Sequence, residues 1–222
     1  MRKKLATQLL SGPDWPEWLE ILAAIIMSAA VVLSAYSAWQ ATRWSGVQAT
    51  AFAEASSART QSIAELGRAN AEISYDAITF ATFAIEFRGA LEDPELLSEA
   101  LRLADGLTRE EFRAALDAWL ALQPNVNPDV PRTPFELPEY TNANQEEGES
   151  LQEDAEESFE EAKDANQTGD DYILGTVFFA SVLFFAGIST KFRNVRVEGI
   201  MLTLASAALI GGLLRIMTLP FH

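Results

Sequence analysis

Cysteine is absent from the 222 residues, and histidine occurs once, at position 222. The first absence excludes disulfides and thiolate metal sites. The second leaves no imidazole base within the chain and no His set at metal-binding spacing. No G-x-S-x-G, no phosphate-binding glycine loop and no zinc motif occurs. Carboxylates are too numerous and too solvated for any pair to stand out. The sequence therefore predicts no enzyme, no metal and no cofactor.

Positive charge is also scarce. Sixteen basic residues face 32 acidic ones, a formal net charge of −16. The imbalance is concentrated in Ala41–Asp171, which holds 28 acidic and 9 basic residues. Such a segment does not suit nucleic acid or anionic headgroups. It suits a solvated domain that gathers cations or offers an acidic surface to a protein partner. Proline is missing from Val47 to Leu91, then recurs at Pro124, Pro128, Pro131, Pro134 and Pro138.

What the chain does have is three long stretches without charge: Ile21–Gln40, Tyr172–Thr190 and Gly199–Leu214. Each approaches the ~20 residues that a helix needs to cross a bilayer. The basic residues Arg2, Lys3 and Lys4 precede the first, and Lys191, Arg193 and Arg196 lie between the second and third. Short basic segments stay cytoplasmic. Three spans then put the N-terminus inside and the acidic domain and C-terminus outside. Trp15 and Trp18 mark one interface of the first span, and Tyr36, Trp39 and Trp44 the other. Two Trp and two Pro separate the basic start from the apolar run, which predicts an uncleaved anchor rather than a signal peptide.

The predicted fold is an all-α integral membrane protein with three transmembrane helices and an extracytoplasmic helical domain between the first and second. Its segments are a cytoplasmic N-terminus (1–17), a first span (18–40) and a helical domain opening on a long helix (41–123). A Pro-rich linker (124–144), an acidic helix (145–171) and the second span (172–190) follow. A basic loop (191–198), the third span (199–219) and an outer C-terminus (220–222) complete the chain. Asp14 is a candidate N-cap of the first helix.

In the first span, Ala24, Ser28, Val31, Ala35 and Ala38 form a stripe of mostly small residues. Such a stripe packs either against the other spans or against further copies of the chain. In the long helix, Ile63, Leu66, Ile73, Ala77, Phe80, Phe87 and Leu91 follow a three–four repeat and predict a coiled-coil-like seam. An intramolecular hairpin is the commoner partner for such a seam. Thr108-Arg109-Glu110-Glu111 reads as a capping box, opening a helix whose inner face is Phe112, Ala115, Leu116 and Trp119. The five prolines predict an extended arm that lies over the domain or reaches a neighbour. In the third span, Ala207/Gly211 and Ala208/Gly212 are small-xxx-small pairs suited to packing on the first.

Four groups are candidate sites. Ser28, Ser34 and Ser37 are candidate pore-lining hydroxyls, although serine also bonds back to its own helix. Arg215 is the only basic charge in an apolar run, and Asp170 or Asp171 is its candidate ion-pair partner. Glu20 either complements the start of the first helix or opens a cation path. Asp164–Gly169 matches the opening of a calcium loop, but Asp171 and Gly175 fall where an apolar residue and the bidentate Glu belong.

The run Trp39-Gln40-Ala41-Thr42-Arg43-Trp44-Ser45-Gly46, with Ser34–Ala38 before it, resembles the end of the first span in a family of uncharacterised bacterial three-span membrane proteins carrying a domain of unknown function. Val177–Ser189 is similar to the second span of such proteins. The resemblance implies an outer-surface junction at Trp39, Arg43, Trp44 and Gly46, with Gly46 turning or packing closely. It implies no activity.

Together these features predict a membrane-anchored, homo-oligomeric structural or interaction protein of the bacterial inner membrane, presenting an acidic domain outside the cytoplasm. The alternative is an oligomeric cation channel lined by the first span.

Overall fold

The computed structural model describes residues 17–192 and 194–222. Asp14, Trp15, Arg193 and the N-terminal basic cluster lie outside the described residues. Among the described residues, five α-helices and one 3-10 turn make up the order: α1 Glu17–Ala90, α2 Pro94–Leu107, α3 Glu110–Ala121, the turn Pro134–Glu136, α4 Ala143–Ser189 and α5 Val195–Met217. No strand occurs among the described residues. Three of the helices, α1, α4 and α5, are long and apolar enough to cross a membrane.

Helix α1 is 74 residues long and runs through position 40 without a break. Gly46, expected to turn or to pack closely, stays helical, and a Cβ built on it meets nothing within 4 Å. The acidic helix and the second span are likewise one helix, α4, 47 residues long. Asp164–Gly169 lies inside it, so those residues form no calcium loop.

The chain divides into two compact units. One comprises residues 1–53 and 159–222, the other residues 54–158. In the first unit, Leu19, Ala23, Ile26 and Ala30 of α1 are buried with Phe179, Val182 and Ala186 of α4 and with Leu202 and Ala205 of α5. Gly212 meets Phe179, whose ring carbon lies 3.0 Å from a Cβ built there. Ala208/Gly212 was expected to face the first span. At Gly212 the nearest side chains belong to the second, where the bulky Phe179 ring needs the gap that a glycine leaves. Ala207 and Gly211 are exposed.

In the second unit, the buried positions of α1 recur every seven residues: Ala55, Ser62, Ala69, Asp76, Phe83 and Ala90. Of the expected seam, Leu66, Ile73, Phe80 and Phe87 are half-buried beside these positions, while Ile63, Ala77 and Leu91 are exposed. Small side chains win the interface because α4 comes very close. Ser62 Oγ donates to the Gly148 carbonyl at 2.7 Å, and a Cβ on Gly148 would stand 2.7 Å from Leu66 Cγ. Close backbone approach favours Gly, Ala and Ser, which carry little of the hydropathy contrast that marks a seam in sequence.

Asp93 caps α2, accepting from the Glu95 and Leu96 amides, and Pro94 occupies its first turn. The buried face of α3 is Phe112, Ala115, Leu116 and Trp119. The capping box at its start is not formed. Thr108 instead closes α2, its hydroxyl and amide both donating to the Ala104 carbonyl, and Arg109 takes the N-cap position without a side-chain cap bond. Beyond α3, Gln123 adopts a left-handed φ of 55° and Pro124 follows. A helix cannot continue through that pair. The Pro-rich arm then lies on its own unit. Trp119 Nε1 donates to the Pro131 carbonyl at 2.8 Å, and Phe135 stacks on Phe112 at 5.0 Å.

Candidate functional site

Helix α1 turns two different faces in the first unit. Leu19, Ala23, Ile26, Ala30, Ser37 and Gln40 point into the unit. Ala24, Ser28, Val31, Ala35 and Ala38 are all exposed. The small-residue stripe is therefore not used for packing within the chain. Where its side chains Ala24 and Ser28 are short, an apolar groove of about 760 Å³ opens. Ala24, Ser28 and Ala29 form the floor, with Ile21, Ile25 and Leu213 among the flanking side chains.

The three serines do not share a face. Ser28 is exposed and its Oγ donates to the Ala24 carbonyl at 2.8 Å. Ser37 is fully buried, nine residues or about half a helical turn round from Ser28. Its Oγ has no hydrogen-bond partner among the described residues and faces Gly175, at 3.1 Å from a Cβ built there. Ser34 is half-buried between them.

Around the junction residues, Trp44 is the one that binds across elements. Its Nε1 donates to the Pro220 carbonyl at 3.2 Å, which also accepts from the Tyr172 hydroxyl at 3.1 Å. Gln40, almost fully buried, accepts from the His222 amide at 3.3 Å and donates to the Tyr36 hydroxyl at 2.9 Å. Trp39 is exposed, its ring 6.1 Å from Tyr36, and Arg43 is exposed. Arg215 Nη2 donates to Asp171 Oδ2 at 2.7 Å, while Asp170 accepts from Asn166. Glu20 is exposed. Glu198 is 1% exposed, and its Oε2 has no partner among the described residues. It lies in the first turn of α5, where the helix N-terminus favours a carboxylate.

The second unit holds a polar cluster that sequence reading missed. Asp76, fully buried on the α1 seam, accepts from Arg109 Nε at 3.1 Å and from Nη2 at 2.9 Å, a two-pronged pair. The Tyr140 hydroxyl donates to the same carboxylate at 3.2 Å. Arg109 Nη1 also donates to Glu111 at 2.6 Å and lies 3.3 Å from Glu72. Glu72 accepts from Asn142 and Asn144 at the start of α4. One guanidinium thus ties α1, α3, the arm and α4 together.

Charge-assisted bonding to Asp76 raises the Arg109 pKa further above its already high value, against the cost of burial. Burial, then the nearby Asp76 carboxylate, pushes the Tyr140 hydroxyl up to about 12. Rings enclose the cluster: Phe135 and Tyr140 meet edge to face at 5.0 Å, and Phe80 and Trp119 at 5.3 Å. Every charged group here has a partner, and the network cross-links the segments it joins. The sequence signal available was Asp76 itself, a carboxylate in phase with Ala55, Ser62 and Ala69.

No family model matches the chain, and no curated protein or solved structure is similar to it. Among the described residues, no group of three or more His, Cys, Asp or Glu side chains is arranged to hold a metal ion.

Proposed function

We infer that this is a membrane-anchored interaction protein that assembles with copies of itself through the exposed small-residue face of its first span, and that residues 54–158 form the acidic module it presents outside the cytoplasm. The observation that carries this is the exposure of Ala24, Ser28, Val31, Ala35 and Ala38 on one face of α1, with an open apolar groove at Ala24 and Ser28. In lipid, helices associate by close packing of small residues, and a face facing only acyl chains has no need of them. In the second unit, Ile78 and Ile85 of α1 are 69% and 73% exposed, and Leu103 and Leu107 of α2 are exposed as well. Tyr75 donates to the Leu107 carbonyl at 2.9 Å, which holds these two helices side by side. That gives the acidic module its own apolar surface for a partner.

Orientation rests on the basic residues at 2–4 and 191–196, which favour a cytoplasmic N-terminus in a bacterial inner membrane. The channel alternative loses ground, since Ser28 and Ser37 lie on opposite faces of α1.

The native chain lacks cysteine, so one introduced thiol reports on one contact. In oxidised membranes, Ser28→Cys and Ala35→Cys are expected to yield cross-linked dimers, while Thr203→Cys, exposed on α5, yields none. Equal cross-linking at all three positions, or none at 28 and 35, contradicts the reading.

A further inference from the structure

We propose that residues 54–158 carry a binding site for a small amphipathic carboxylate, in a cleft bordered by Arg88 and Arg132. This site is separate from the self-association face and does not depend on it.

The unit contains 23 acidic and 7 basic residues, a net −16, and all seven basic residues are arginine. With carboxylates so abundant, each arginine has an easy partner, and five have found one. Arg59 lies 4.0 Å from Glu156, Arg68 2.6 Å from Glu65, and Arg113 3.1 Å from Asp105. Arg102 pairs with Glu99, and Arg109 with Asp76, Glu72 and Glu111. Arg88 and Arg132 have no carboxylate partner among the described residues, and both border one cleft of about 670 Å³. The carboxyl end of α1 favours a cation at Arg88, in its last turn. It gives no reason for a second cation at Arg132, in the irregular arm.

The walls define the rest of the ligand. Phe80, Phe87 and Trp119 line one side, and Val130 and Pro131 of the arm another. Trp119 is held in place by its bond to the Pro131 carbonyl, so ring and arm are set relative to one another. The lining divides about equally between apolar side chains and polar groups, Asn125 and Asn127 among the latter, and the volume falls within the range of about 300–1,000 Å³ typical of ligand clefts, which fits a small amphipathic molecule. Guanidinium groups without a partner recognise a carboxylate in two-pronged fashion. The ligand is then an apolar, flat or branched body with a carboxylate head. An acidic macromolecule fits less well, because the surrounding −16 field repels an extended polyanion while a single carboxylate meets mainly the two local cations.

The test uses the full chain in nanodiscs, with empty nanodiscs as blank. Fluorine NMR follows 4-fluorophenylacetate and its uncharged analogue 4-fluorophenylacetamide. The acid is expected to bind at least tenfold more tightly than the amide. R88Q/R132Q should erase that difference, with thermal midpoint unchanged because both side chains are exposed, and R88K/R132K should restore part of it. R102Q, an exposed arginine outside the cleft, should bind as the native chain does. Equal binding of acid and amide overturns the proposal. So does native-like binding by R88Q/R132Q, absence of acid binding up to millimolar concentration, or tighter binding of a polyglutamate peptide than of the small acid.

Discussion

In the unit formed by residues 1–53 and 159–222, an ion pair between helices, Arg215–Asp171, is partly exposed, and the interior is held by Ala, Leu, Ile, Val, Tyr and Phe in contact. In the unit formed by 54–158, an ion pair lies in the middle of the packing: Asp76 has no exposed side-chain surface and Arg109 little. The difference follows from what each interior must specify. Apolar helices pack by shape, and a glycine opposite a Phe ring fixes their register, as Gly212 does for Phe179. The second unit gathers two short amphipathic helices and a proline arm. There, one buried carboxylate with directional partners fixes which segment goes where, and rings close over it.

The contrast is broken most directly at its two arginines. Arg109→Ala leaves Asp76 buried with only the Tyr140 hydroxyl, and should lower stability by about 3–5 kcal/mol. Arg215→Ala removes a partly exposed pair and should cost no more than about 1 kcal/mol. Thermal unfolding of both variants in one detergent measures the gap; equal losses would mean that the Asp76 cluster is no keystone.

A middle-sized effect tests the close approach of α1 and α4 in the second unit. Gly148→Ala puts a methyl group against Leu66, including its backbone nitrogen at 3.1 Å, and should destabilise by about 1–3 kcal/mol. Gly67→Ala meets nothing within 4 Å and should stabilise by up to about 1 kcal/mol through helix propensity. Opposite signs are the expected result in the same unfolding assay.

The smallest effect sharpens the account of the cluster. The Tyr140 value is raised from 10.0 to about 12. A raised value means that its contribution to stability is complete below about pH 10 and is lost as pH rises through about 12. Ultraviolet titration should show a late-ionising absorbance that Tyr140→Phe reduces by one tyrosine. An undiminished late absorbance in that variant would assign the late step to another residue.

Much of the fold was legible because strong signals act locally. Charge-free runs mark the three apolar helices, Asp93-Pro94 marks a helix start, and the period of Phe112, Ala115, Leu116 and Trp119 marks the inner face of α3. Part of the α1 seam was misread by one position: Ser62, Asp76 and Ala90 are buried where Ile63, Ala77 and Leu91 were expected. Ile63 and Ile73 outweigh Ser62 and Ala69 in hydropathy, yet only the smaller pair allows α4 so near. Arg109 was hidden for a different reason: Thr108 and Glu111 imitate a capping box, while the partner that redirects Arg109, Asp76, lies 33 residues away. The candidate self-association face was visible as a stripe, but only its exposure separates it from packing within the chain.

The central claim is self-association through that face, and the mass of the native chain in nanodiscs or mild detergent tests it most directly. The account predicts a protein mass that is a multiple of 24.3 kDa and falls to a single chain in Ser28→Leu/Ala35→Leu. A native particle of one chain at every concentration, or an oligomer that the double substitution leaves intact, would contradict it.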